Sequence, residues 1–201
     1  MKRSRLCNIV LAIALLIADC QLLTANSNDS IYMGTQVKLD IASPILVPAT
    51  HHWTMQHYEV AVNVRLAQRF YPTAELGYAG GQTAKDTLTY NGHGGFLRLG
   101  CDINPLKRHP EAPHALLVGV RLGTAVQTKG ETDCWGEIVA GCQVEIAKVK
   151  NTAFYMGWMG RFKTLFTRKA AVDNYPVIYI PGYGKYDNIG WGLNYYLGWR
   201  F

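Results

Sequence analysis

The amino-acid sequence predicts an all-β protein, an eight-stranded antiparallel up-and-down barrel of the kind that spans a membrane. Three observations carry that expectation. Apolar and polar residues alternate at period two through eight separate runs. The polar positions of those runs hold glycines and ionised side chains together. The last run places Tyr195, Leu197, Trp199 and Phe201 on one face.

Taken in order, the first run sets Ile31, Met33, Thr35, Val37, Leu39 and Ile41 against Tyr32, Gly34, Gln36, Lys38 and Asp40. The second sets Tyr58, Val60, Val62, Val64 and Leu66 against His57, Glu59, Ala61, Asn63 and Arg65. The third is short, with Ala74, Leu76 and Tyr78 opposite Thr73, Glu75 and Gly77. Leu97, Leu99, Cys101 and Ile103 define the fourth, and Leu116, Val118, Val120 and Leu122 the fifth. The sixth runs through Ile138, Ala140, Cys142, Val144 and Ile146, the seventh through Phe154, Met156, Trp158 and Phe162. Ile189, Trp191, Leu193 and Tyr195 to Phe201 make the eighth. An even number closes with both ends at one rim. Short turns are expected near 67–71 and 149–152, a longer turn over 104–114, long loops over 43–54, 79–92 and 164–188, and a shorter loop over 124–133.

Alternation alone does not say which face points inward. A soluble lipocalin-like barrel turns its greasy face in, whereas a membrane barrel turns it out. Glycine on the polar face favours the membrane form, since small residues leave room for long charged ones in a narrow lumen. So does charge: Lys38, Arg65, Arg98, Arg121, Arg161, Lys163 and Arg200 face Asp40, Glu59, Glu75, Asp102, Glu137 and Glu145, nearly in balance. Buried ions require partners, and these thirteen residues are expected to form an ion network in the barrel interior.

Lys2, Arg3 and Arg5 precede an apolar run over 6–18 broken only by Asn8. That run is too short for a spanning helix and suits a signal peptide, so the expected plan is a leader over 1–26 and a barrel domain over 27–201. Asp19 before Cys20 argues against lipid attachment there. Loss of three cationic residues and Asp19 with the leader takes the formal charge from +6 to +4, spread along the chain without a basic cluster. Nucleic-acid binding is therefore not expected. Cys101, Cys134 and Cys142 are odd in number, and the two strand cysteines read as small outward hydrophobes, so no disulfide is expected.

Chemistry is sparse. The mature segment has only Ser27, Ser30 and Ser43, and Ser43 shares a connection with His51 and His52. A serine hydrolase of lipid or lipopolysaccharide needs a nucleophile with a base beside it, and no supporting acid stands at a fixed spacing. His51, His52 and His57 lack a recognised metal-ligand spacing, and no metal or cofactor is expected. The stretch 175–186, with Tyr179, Pro181, Tyr183 and Tyr186, reads either as an exposed aromatic binding loop or as a loop folded over the barrel mouth.

Tyr179, Ile180, Pro181, Gly182, Tyr183, Gly184 and Lys185, the closing run from Trp191 to Phe201, and Glu75, Leu76, Gly77 and Tyr78 after Tyr71 and Pro72 carry a resemblance. The chain resembles an uncharacterised family of Bacteroidota outer-membrane β-barrel proteins, a domain of unknown function. The resemblance spans nearly all of the mature segment. It implies a fold and a location in the bacterial outer membrane and brings no catalytic residues. Tyr195, Leu197, Trp199 and Phe201 are similar to the C-terminal signal that the barrel assembly machinery reads on its clients.

The expected role is that of a small non-enzymatic outer-membrane protein, structural or engaged in surface interactions, whose interior is plugged by its ion pairs. Its expected contacts are outer-membrane lipid and the assembly machinery, with any external partner unspecified. The alternatives are a lipid- or lipopolysaccharide-modifying enzyme and a soluble exported barrel that binds a ligand inside.

Overall fold

Extended backbone forms where β-branched and aromatic residues recur at alternate positions, and each such segment satisfies its N–H and C=O groups only by pairing. In the computed structural model, which describes residues 32–50, 55–66, 69–85, 88–105, 114–127, 132–150, 152–167, 179–185 and 187–201, that pairing is complete around a circle. The chain runs β1 (Tyr32–Asp40), α1 (Ser43–Thr50), β2 (Met55–Leu66), β3 (Phe70–Lys85), β4 (Leu88–Ile103), β5 (His114–Gln127), β6 (Thr132–Val149) and β7 (Thr152–Leu165). A small hairpin, β8 (Tyr179–Ile180) and β9 (Gly184–Lys185), precedes β10 (Ile189–Arg200).

The barrel is closed in the order β1-β10-β7-β6-β5-β4-β3-β2, with every neighbouring pair antiparallel. Each wall strand therefore lies beside its predecessor, and β1 closes on β10 through Val37↔Trp199 and Leu39↔Leu197. Among the described residues each wall strand is paired on both sides over its central part, while the β3–β4 ladder runs on past its neighbours and β1 meets β10 only over Gln36–Asp40. One rim carries the β2–β3, β4–β5 and β6–β7 turns with the start of β1 and the end of β10; the other carries α1 and the remaining connections.

Three expectations about connections are corrected. Segment 79–92 is not a long loop: β3 and β4 continue as a ladder from Ala79↔Gly94 out to Lys85↔Leu88. Gly80, Gly81, Gly92, Gly94 and Gly95 erase the alternation that marks a strand, but ladder hydrogen bonds need no side chains. Segment 43–54 contains α1 rather than loop alone, with Pro44 in its first turn, where the missing N–H is harmless. Segment 124–133 is largely strand, because β5 reaches Gln127 and β6 begins at Thr132. The proposed leader, His51 and His52 lie outside the described residues.

The wall has the polarity of a soluble protein turned inside out. Leu99, Val118, Val120, Ile138, Trp158, Trp191 and Leu193 point outward and are exposed, Trp191 to 77% and Leu193 to 60%. Lys38, Asp40, Glu59, Arg98, Arg121, Glu137 and Arg161 point inward and are buried.

Candidate functional site

The lumen is layered, and the order can be followed along single strands. Down β6 from the α1 rim, the inward residues are Trp135, Glu137, Val139, Gly141, Gln143 and Glu145; down β7 they are Leu165, Lys163, Arg161, Met159, Gly157 and Tyr155. An apolar layer of Phe96, Ala125, Trp135, Leu165, Ile180 and Tyr183 lies toward the α1 rim. A second, of Tyr71, Ala115, Leu117, Val139, Met159 and Tyr196, lies toward the other. Between them sits the ion network.

Arg161 is its hub. Its guanidinium lies 3.2 Å from Glu59, 2.9 Å from Glu75 and 2.8 Å from Glu137, carboxylates that come from β2, β3 and β6. Arg161 Nε also donates to Asn194 Oδ1 at 2.5 Å, and its Nη2 donates to the Tyr196 hydroxyl. Arg98 approaches the same three carboxylates, at 2.6, 3.0 and 3.7 Å. Arg121 pairs with Glu75 at 3.1 Å and with Asp102 at 2.8 Å. Charge-assisted bonds of this kind are the strong ones, and two apolar layers that exclude water strengthen them further. The β-strand period places all of these groups inside, and small residues give them room. A Cβ on Gly100 would lie 2.0 Å from the Val120 carbonyl and 2.7 Å from Arg121 Cδ.

The remaining expected network members take other positions. Arg200 and Glu145 form a looser pair at 3.8 Å near the turn rim, where Tyr155 donates to Glu145. Arg65 is buried in the same half of the lumen. Lys38 is buried with its ammonium 5.9 Å from the Tyr196 ring centre. Asp40 accepts from Asn194 at 2.6 Å and, through Oδ1, from the backbone N–H of Ala42 and Ser43. Lys163 lies outside the arginine cluster and donates to the carbonyls of Gly182 and Tyr183 at 2.7 and 3.1 Å.

That last contact decides between the two readings of this stretch: for Tyr179, Pro181 and Tyr183 the exposed loop gives way to the loop folded over the barrel mouth. Pro181 and Tyr183 are buried and Tyr179 is half-buried, because the β8–β9 hairpin turns into the barrel mouth. Tyr183 packs edge-on against Trp135. Gly182, at φ +74°, makes the turn and lies against the Phe96 ring, where a Cβ would come within 2.5 Å. Burial, aided by Asp187, pushes the Tyr183 phenol up to about 12. Tyr186 lies outside the described residues.

Several lumen residues escape sequence reading. Asp133, fully buried, accepts from Gln127 at 2.8 Å; it falls in a stretch that reads as loop. Asn194 links Arg161 to Asp40 and Glu59, and Trp135 donates to Glu137 at 2.6 Å. Parity on their strands was the signal for the latter two.

Asp40, His57 and Glu59 bring three metal-ligand atoms, two carboxylate oxygens and an imidazole nitrogen, within 4.8 Å of one another. Their oxygens already accept from Asn194, Arg98 and Arg161, so a cation there would have to displace two guanidiniums. His57 Nε2 is 3.5 Å from Glu59, and Ser43 begins α1. Cys101, Cys134 and Cys142 form no disulfide among the described residues. Tyr195, Leu197 and Trp199 share the outward face of β10, with the exposed Phe201 just beyond its end; Tyr195 faces Trp158 and Trp199 faces Phe154 across to β7.

The fold and its interior define a closed eight-stranded antiparallel barrel with an ion-paired lumen capped at both ends by apolar side chains. The chain belongs to the DUF6048 family, a domain of unknown function, whose model matches residues 2–131 and 124–200. No curated protein and no solved structure matches it.

Proposed function

We propose that this is a small non-enzymatic outer-membrane β-barrel protein with a structural or surface-interaction role, exported with residues 1–26 as its leader. The observation that carries the reading is the inverted polarity of the wall. More than two dozen large apolar or aromatic side chains are exposed among the described residues. Leaving each about half in water costs roughly 1 kcal/mol, a total of tens of kcal/mol against the ~5–15 kcal/mol by which domains are stable. Acyl chains around the wall remove that penalty. β2 and β10, at 12 residues each, are long enough to cross a bilayer core when tilted. A soluble ligand-binding barrel would need the opposite arrangement, with aliphatic residues lining a cavity.

In this reading the barrel assembly machinery reads Tyr195, Leu197, Trp199 and Phe201, and the ionic lumen is a plug. Electrophoresis of membrane fractions with and without boiling tests the proposal. A folded membrane barrel migrates differently when unheated; recovery in a periplasmic extract, with no heat-dependent mobility, overturns it. Vesicles holding the refolded protein are expected to show no large stable conductance.

A further inference from the structure

Between Asp40 and Glu59 the chain contains no Asp, Glu, Lys or Arg. A connection of that length in water is normally polar. Here it contains α1, whose Ile45 and Leu46 are 62% and 50% exposed. The helix does not hang loosely from the rim. Asp40 accepts from the N–H groups of Ala42 and Ser43 while its other oxygen is held by Asn194 in the lumen, so the first turn is tied to the buried network. Ser43 is buried, and the helix packs beside β2. The outward residues of β2 from this rim are Gln56, then Tyr58 and Val60, with Tyr78 facing Tyr58 on β3 and Leu39 facing Val60 on β1. Tyr58, Val60, Tyr78 and Leu39 are all exposed, so the wall beside α1 is apolar apart from Gln56.

We propose that α1 is a membrane-immersed element: its Ile45 and Leu46 side chains insert into the headgroup–acyl boundary of the leaflet at this rim, and lipid is their occupant. The inference rests on the membrane reading above and extends it from the strands to a helix. A charge-free helix fixed at a rim, with adjacent aliphatic residues uncovered, is suited to that boundary. The aromatic residues Tyr58 and Tyr78 mark the same depth on the wall. A polar external partner would leave Ile45 and Leu46 without complementary surface.

The test uses the full mature barrel, with its native cysteines replaced by alanine, refolded into phosphatidylcholine vesicles brominated at shallow or deep acyl positions. Fluorophores are attached through Ile45→Cys, Leu46→Cys, Leu193→Cys on the wall and Lys150→Cys at the opposite rim. Folding of each is checked by unheated mobility. Shallow bromines are expected to quench the labels at 45 and 46 more than deep bromines do, deep bromines to quench the label at 193, and neither to quench that at 150. If aqueous iodide quenches 45 and 46 while bromolipid quenches only 193, the barrel is embedded and the helix proposal is wrong. If bromolipid quenches none of the labels, the membrane reading falls as well. Cross-linking of 45 to 45 between copies, with no bromolipid quenching there, would assign the helix to a second chain and likewise overturn the proposal.

Discussion

Replacement of Arg161 by methionine removes the hub of the lumen and preserves most of its volume. Five partners lose a donor at once: Glu59, Glu75, Glu137, Asn194 and Tyr196. Arg98 still reaches the three glutamates and Arg121 still holds Glu75, so no carboxylate is stripped completely. What remains is four carboxylates, Glu59, Glu75, Glu137 and Asp102, around two arginines, an excess buried negative charge between two apolar layers. Breaking one side of a buried pair costs about 3–5 kcal/mol, and the surviving arginines hold the expected loss to that range rather than to a multiple of it. Against a typical stability of ~5–15 kcal/mol this is a large fraction. The assay is equilibrium urea unfolding of the vesicle-embedded barrel, read by electrophoretic mobility without heating. Arg161→Lys retains the charge but loses the fork and should fall between the two. Arg161→Met combined with Glu137→Gln should recover part of the loss by removing the charge left over. Arg69→Met, on the exposed turn rim, should change stability by less than about 0.5 kcal/mol. A loss below about 1 kcal/mol for Arg161→Met would mean that the lumen charges are hydrated, and the reasoning from a dry, closed network would be refuted.

Three further outcomes follow from the same geometry. Gly123→Ala places a Cβ 2.2 Å from the Trp135 ring and should cost about 1–3 kcal/mol, whereas Gly95→Ala, whose nearest atom is 3.8 Å away, should be close to neutral in the same unfolding assay. The docked Tyr183 phenol has its value raised from 10.0 to about 12, so docking stabilises the hairpin fully below pH 10 and loses that contribution as pH rises through about 12. Tyrosinate absorbance of the wild type minus that of Tyr183→Phe should accordingly rise near pH 12; a rise near pH 10 would mean that the hairpin lies in solvent. Lys163→Met removes the ammonium that holds Gly182 and Tyr183, and should speed proteolysis between β7 and β10 while leaving the wall intact by unheated mobility.

The wall strands were readable because side-chain direction in a strand has a period of two and closure forces one parity inward all round the circle. Glu59, Glu75, Arg98, Arg121, Glu137 and Arg161 could be gathered on one face from their spacing alone. Which of them touch could not, since Arg161 of β7 meets Glu59 and Glu75 across the lumen, where sequence distance carries no information. Glycine hid the outer half of the β3–β4 ladder, because a residue without a side chain leaves no alternation to read. The docking of the β8–β9 hairpin was legible only as one of two alternatives. Tyr183 has the same composition signal whether it meets solvent or Trp135, and only the space left in the barrel mouth decides.

A lipid-embedded barrel is distinguished from a soluble one by what surrounds the outward side chains of the wall. Nitroxide labels placed one at a time at Leu116, Val118, Val120 and Leu122 of β5, with the protein in lipid vesicles, report collisions with oxygen and with a water-soluble nickel chelate. Oxygen should dominate at all four positions and most strongly at Val118 and Val120, nearest the bilayer centre, with the chelate excluded. Collisions dominated by the chelate at those positions would contradict a lipid-embedded wall.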